Sequence, residues 1–192
     1  MKRCIPTLIP ILLLACAGPA TAEKADAYKP TTINCRSCDA NGATGTVTMA
    51  GGVEVIRGSL RIDADGGRID RSPDGYQQVL LEAQAGRKVR FRQKADGPGE
   101  RWMEGEADRV EYDERSAMVK LYSRARVRRT QDGHLAEEAE GEYISYDSRS
   151  EVFTLRNTST GEDRPGAGRN TIVLQPKRRS PPAQPIAGTE IP

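Results

Sequence analysis

Glu104-Gly105-Glu106-Ala107-Asp108-Arg109-Val110-Glu111-Tyr112-Asp113-Glu114-Arg115-Ser116, closing on Val119-Lys120-Leu121, returns further along as Glu138-Ala139-Glu140-Gly141-Glu142-Tyr143-Ile144-Ser145-Tyr146-Asp147-Ser148-Arg149-Ser150, closing on Phe153-Thr154-Leu155. The offset is 34 residues, from Tyr112 to Tyr146 and from Leu121 to Leu155. In each copy the apolar side chains occupy alternate positions, Val110/Tyr112 and Val119/Leu121 in the first, Ile144/Tyr146 and Phe153/Leu155 in the second. Successive side chains of a strand point to opposite faces, so alternation is the mark of a half-buried strand. Asp113–Ser116 and Asp147–Ser150 are polar residues that bond their own backbone and favour turns. Each copy therefore reads as a β-hairpin with one apolar and one charged face. A 34-residue period is also that of helical tetratricopeptide arrays. That fold is excluded by the two-residue periodicity, by the presence of only two close copies, and by Gly and β-branched residues where helices want Ala and Leu.

The same grammar extends towards the N-terminus. Thr46-Val47-Thr48-Met49 alternates, Gly51-Gly52 reads as a turn, and Val53-Glu54-Val55-Ile56-Arg57 alternates again. Leu60, Ile62 and Ala64 share a face opposite Arg61, Asp63 and Asp65, an earlier and more divergent copy of the hairpin unit with an inserted loop around Arg71-Ser72-Pro73-Asp74-Gly75. Val79-Leu80-Leu81, then Val89 and Phe91 between Lys88, Arg90 and Arg92, then Ala125-Arg126-Val127-Arg128, add further strands. The basic rows read as solvated faces in preference to phosphate contacts. Ala95–Glu100 and Gly161–Gly168 read as loops, and Asn170–Gln175 as a last strand.

Composition agrees with this reading. The chain has 192 residues, 36% hydrophobic and 29% charged, with 19 Gly and 12 Pro, which points to a thin core and many turns. A formal net charge of +2 is too small for an electrostatic nucleic-acid reader. Residues 1–22 read as a signal peptide: Lys2 and Arg3, an apolar run from Ile5 to Ala17, and Ala20-Thr21-Ala22 before the cut at Glu23. Leu13-Leu14-Ala15-Cys16 also resembles a bacterial lipobox, which would place a lipid on Cys16. Residues 23–30 form a short leader, 31–176 the folded domain, and 177–192 a disordered Pro-rich tail without the apolar residues to fold.

Chemistry finds little footing. Cys35-Arg36-Ser37-Cys38 would be compatible with a zinc half-site, a redox motif or a disulfide. Two Cys and His134 fall short of four zinc ligands, and no βαβ context surrounds the pair, so an oxidised or free pair in a loop of an oxidising compartment is expected. His134 stands alone at a loop position, and no carboxylate pair is singled out as general acid and base. The expectation is a protein without catalytic activity. Many short strands with small side chains predict an all-β sandwich or jellyroll, whose loosely filled interior would either take acyl chains or form an ordinary packed core.

Gly51-Gly52-Val53-Glu54-Val55-Ile56-Arg57-Gly58-Ser59-Leu60-Arg61-Ile62-Asp63-Ala64-Asp65 resembles the opening "G-x-V-x-V-x-x-G-(T/S)-(I/L)-x-I-x-A-D" of the LptA (OstA-like) family of lipopolysaccharide-transport proteins. Gly105–Asp113, Val119-Lys120-Leu121 and Ala125-Arg126-Val127 are similar to its following repeats, and the likeness covers about Thr31 to Pro176. The resemblance implies an open, twisted β-jellyroll of stacked antiparallel hairpins in the periplasm, shielding the lipid A acyl chains of lipopolysaccharide without a cofactor. It also implies head-to-tail self-association, and docking to an LptC-like inner-membrane protein and to the N-terminal domain of an LptD-like outer-membrane protein. The family's inward positions fall on Ile33, Val53, Val55, Leu60, Ile62, Phe91, Tyr112, Val119, Leu121, Ile144 and Phe153, with Ile33, Phe91 and Tyr112 foremost for lipid contact. The resemblance departs at Cys35–Asn41, where the family carries an acidic or polar strand end such as "E-(A/S)-D". Two other readings stay open: a generic periplasmic jellyroll scaffold that holds no lipid, and a thiol-redox protein using Cys35 and Cys38. Intact-mass measurement of the exported protein is expected to give a chain beginning at Glu23; a diacylglyceryl mass on Cys16 would assign the lipobox instead.

Overall fold

A computed structural model of the chain describes residues 26, 28–147, 149–150 and 152–176. The signal peptide, Cys16, most of the leader and the tail of the sequence reading lie outside these residues. Eleven strands are formed among them: β1 Thr32–Asn41, β2 Thr46–Arg57, β3 Leu60–Arg71, β4 Gln77–Glu82, β5 Val89–Lys94, β6 Arg101–Ala107, β7 Arg109–Asp113, β8 Met118–Gln131, β9 His134–Asp147, β10 Val152–Arg156 and β11 Thr171–Leu174. All pairings are antiparallel.

The repeated stretch forms the hairpins that its alternation demands. Val110 stands opposite Leu121 and Tyr112 opposite Val119 in β7–β8, and Ile144 opposite Leu155 and Tyr146 opposite Phe153 in β9–β10. β8 and β9 then join the two copies, with Leu121 beside Ile144 and Val119 beside Tyr146.

Long strands split their length between two layers. The first residues of β3 (Arg61–Asp63) pair with β5, and its last (Gly66–Arg71) pair with β4. β8 pairs with β7 through Met118–Tyr122 and with β6 through Arg126–Gln131. β9 holds β11 through Glu137–Glu140 and β10 through Tyr143–Asp147. The change of layer falls at bulges, where two residues face one and the strand bends. Gly51 and Gly52 are inserted opposite β3 between Ala50 and Val53, and Ser123 and Arg124 opposite β9 between Tyr122 and Ala125. All four hold positive φ, 79° and 93° for the glycines, 62° for Ser123 and 52° for Arg124. That conformation carries no steric penalty for glycine, whereas L side chains rarely adopt it.

Four details differ from the sequence reading, the first being that His134 opens β9 and pairs with Gln131 instead of lying in a loop. Gly51-Gly52 is a bulge inside one continuous β2 rather than a turn, because both flanking halves keep their partners in β1 and β3. Ala125–Arg128 is the second half of β8 rather than a separate strand. Cys35 and Cys38 lie within β1, on either side of a bulge, rather than in a loop; a disulfide joins them across Cα atoms 6.0 Å apart.

Each layer turns a row of apolar residues inward, set by register. One layer aligns Met49, Gly67, Leu81, Val110, Leu121, Ile144 and Leu155, and beside them Val47, Ile69, Val79, Tyr112, Val119, Tyr146 and Phe153. The other aligns Ile33, Val55, Ile62, Phe91, Gly105, Val127, Ala139 and Ile172. The core is tightest beside the bulges, at Met49, Val53, Leu81, Val89, Ala107, Ala125 and Ile144. Ahead of β1, the carboxylate of Asp26 accepts the backbone N–H of Ser59 at 2.8 Å, which holds the chain against the β2–β3 turn.

Gly67 sits in the inner row where a side chain has no room: an added Cβ would collide with the backbone oxygen of Leu80 and with the Leu81 side chain. Gly67→Ala is expected to cost about 1–3 kcal/mol in urea unfolding, while Gly42→Ala, with nothing within 4 Å, stays within about 0.5 kcal/mol of the parent.

Candidate functional site

Away from the bulges the two layers diverge, and an apolar cleft of about 230 Å³ opens between them. One side is formed by Ile33, Val55, Leu60, Ile62, Phe91, Met103 and Val127. The facing side is Ile69, Val79, Leu81, Val110, Tyr112, Val119, Leu121, Tyr146 and Phe153. The grading of burial follows the shape: Leu121 is fully buried, whereas Ile62, Phe91, Tyr112 and Phe153 are only partly so.

The polar residues of the cleft gather where the strands end. Thr31 precedes β1, Arg57 closes β2, Gln93 lies near the end of β5, Gln77 opens β4 and Glu114 follows β7. Gln77 and Glu114 tie one lip together: the backbone N–H of Gln77 donates to Oε2 of Glu114 at 2.9 Å, and the Glu114 N–H donates to the Gln77 carbonyl at 3.0 Å. Two arginines reach over from one layer to aromatic rings of the other, Arg57 with its guanidinium carbon 5.9 Å from the Tyr112 ring centre and Arg129 4.7 Å from that of Phe153. Arg129 is also paired with Glu137 at 3.3 Å.

Nine of the eleven residues singled out from sequence line this cleft together: Ile33, Val55, Leu60, Ile62, Phe91, Tyr112, Val119, Leu121 and Phe153. Val53 and Ile144 do not line it. At 3% and 0% exposure they belong to the packed core beside the bulges. Ile69, Val79, Leu81, Met103, Val110, Val127 and Tyr146 complete the apolar lining and are not among those eleven. Their strand parity was readable, since Tyr146 alternates with Ile144 and Val79 with Leu81, but which end of a row stays open depends on the divergence of the layers.

The outer faces carry a lattice of opposite charges. Arg92 and Arg128 flank Glu104 at 3.3 and 3.7 Å, Arg126 meets Glu138 at 3.2 Å, and Lys88 meets Glu106 at 2.9 Å. The Lys88 hydrogen bond holds the Glu106 carboxyl below its ordinary value. Burial, followed by a hydrogen bond to Glu111, pushes the Tyr122 hydroxyl upward. The basic rows are thus matched by glutamates of neighbouring strands, as expected of a solvated face; exposed pairs of this kind contribute little singly. No group of three or more His, Cys, Asp or Glu among the described residues could hold a metal ion. No helix among them is long and apolar enough to cross a membrane.

Among the described residues three strands have a partner on one side only: β1 at one end, and β10 and β11 at the other, where β11 exposes Ile172 (60%) and Leu174 (70%). The apolar row from Ile33 to Ile172 therefore runs from one open edge to the other.

The description LptA/(LptD N-terminal domain) LPS transport protein belongs to a family model that matches residues 32–152. Among solved structures, the chain is similar to LptH, the LptA-homologous periplasmic component of the conserved lipopolysaccharide transport device from Pseudomonas aeruginosa. The TM-score is 0.65 at 20% identity, over 79% of this chain and 99% of that one, a likeness of fold. No curated protein matches the chain in sequence.

Core and cleft lining are expected to respond differently to truncation. Leu121→Ala should cost about 2–5 kcal/mol, the range for a buried leucine, and Leu60→Ala, half-exposed at the mouth, about 1 kcal/mol, read from the midpoint of denaturant unfolding.

Proposed function

We propose, from the premise that this chain belongs to the LptA/LptD N-terminal domain family of lipopolysaccharide transport proteins, that it binds lipopolysaccharide in the periplasm and shields the lipid A acyl chains in the cleft between its layers. The observation that carries this reading is the cleft itself: two apolar rows held apart instead of interdigitated, lined by Ile62, Phe91, Tyr112 and Val119. Each methylene moved from water into such a lining contributes about 0.8 kcal/mol.

The same premise supports a bridge between the membranes. Unpaired strand edges accept further strands through their backbone groups. β11 of one protomer would receive β1 of the next, so that the row ending at Ile172 continues at Ile33 and the cleft extends from copy to copy. An LptC-like inner-membrane protein and the N-terminal domain of an LptD-like protein would occupy the two ends. Export would remove residues 1–22 and leave the folded domain, residues 31–176, between leader and tail.

A photo-reactive residue replacing Phe91 is expected to crosslink to lipopolysaccharide in cells, and one replacing Ile172 to a second copy or a partner. Protein crosslinks at Ile172 without a lipid adduct at Phe91 would favour the scaffold without lipid. Depletion of the protein is expected to hold newly made lipopolysaccharide at the inner membrane.

A further inference from the structure

Arg57 is out of keeping with its row. It follows Val53 and Val55 at alternate positions of β2, so its side chain enters the interior rather than the charged outer face. Other arginines of this sheet meet carboxylates, Arg61 with Glu54, Arg92 with Glu104 and Arg129 with Glu137. Among the described residues the Arg57 side chain makes no ion pair, and its shielded Nε has no hydrogen-bond partner. Its contact with the Tyr112 ring, at 5.9 Å, lies at the outer limit of a cation–π interaction. The one carboxylate of the lining, Glu114, is engaged with the Gln77 backbone. A half-buried guanidinium without a counter-ion lacks the bidentate acceptor that its fork is built to take.

The geometry points to Arg57 as the seat of an anionic head group, a phosphate ester of the amphiphile whose chains lie in the cleft. This rests on the lipid-binding reading above and adds an orientation: chains towards the bulges, charge at the mouth between β2 and β7.

The test measures displacement of an uncharged fluorescent acyl probe from the full chain by lipid A bearing its phosphates and by the same lipid A stripped of them. Arg57→Gln is expected to weaken binding of the phosphorylated form about tenfold and to leave the dephosphorylated form unchanged, with Arg57→Lys recovering part of the loss. Thermal unfolding of both variants checks that they fold. Equal affinity of parent and Arg57→Gln for the phosphorylated form overturns the head-group assignment while lipid binding stands. Displacement by inorganic phosphate alone at matched concentration also overturns it, since Arg57 would then serve free anions. Failure of the parent protein to bind either lipid overturns both readings.

Discussion

Each long strand of this protein changes layer near its middle, and that bend is the constraint on which the rest depends. At Gly51-Gly52 in β2 and Ser123-Arg124 in β8, two residues stand against one and the backbone turns through positive φ; β8 there leaves β7 for β6, and β3, opposite Gly51-Gly52, leaves β5 for β4. Because β3, β8 and β9 all make this change, the two layers share their backbones instead of meeting as separate sheets. Near the bends the layers are pressed together, and small or compact side chains such as Ala64, Ala107 and Ala125 close the space. Further out they separate, and the same apolar alternation that fills the core becomes the lining of a cleft.

The inner and outer faces follow opposite logics. Inside, the register carries apolar rows across seven or more strands, whose backbone groups pair in the ladders. Outside, Arg and Glu alternate from strand to strand, from Arg92 through Glu104 to Arg128, so that opposite charges meet across the sheet. Arg57 and Arg129 belong by parity to the inside, and of the two only Arg129 is paired with a carboxylate among the described residues. The disulfide on the edge strand β1 spans the point where Arg36 faces the Gly51-Gly52 bulge of β2.

Much of this was legible in the chain. Alternation in Val110–Leu121 and Ile144–Leu155 identifies strands and pairs them into hairpins, since a two-residue turn-to-turn signal is local and its outcome cannot slip without exposing the apolar face. The eleven inward positions follow from the resemblance to the family, and nine of them line one cleft. Other points were not legible. Gly51-Gly52 reads as a turn because glycine pairs punctuate strands as readily as they bulge them; only the continued pairing of both flanks to β1 and β3 decides between the two. Val53 and Ile144 have the same parity as Val55 and Tyr146 yet end in the packed core, since distance from the bend is not written in alternation.

The amino-acid sequence by itself determined which side chains share a face, that the duplicated stretch forms hairpins, and that the fold is all-β with a charged exterior, because these follow from contacts between near neighbours along the chain. The tertiary structure decided which rows confront each other across the interior, how far apart they stand, that β9 carries both β10 and β11, and that Arg57 faces an aromatic ring of the other layer and forms no ion pair among the described residues. Those features arise from pairings between residues remote in sequence, and pairing of that kind is settled only when the strands bend and close upon one another.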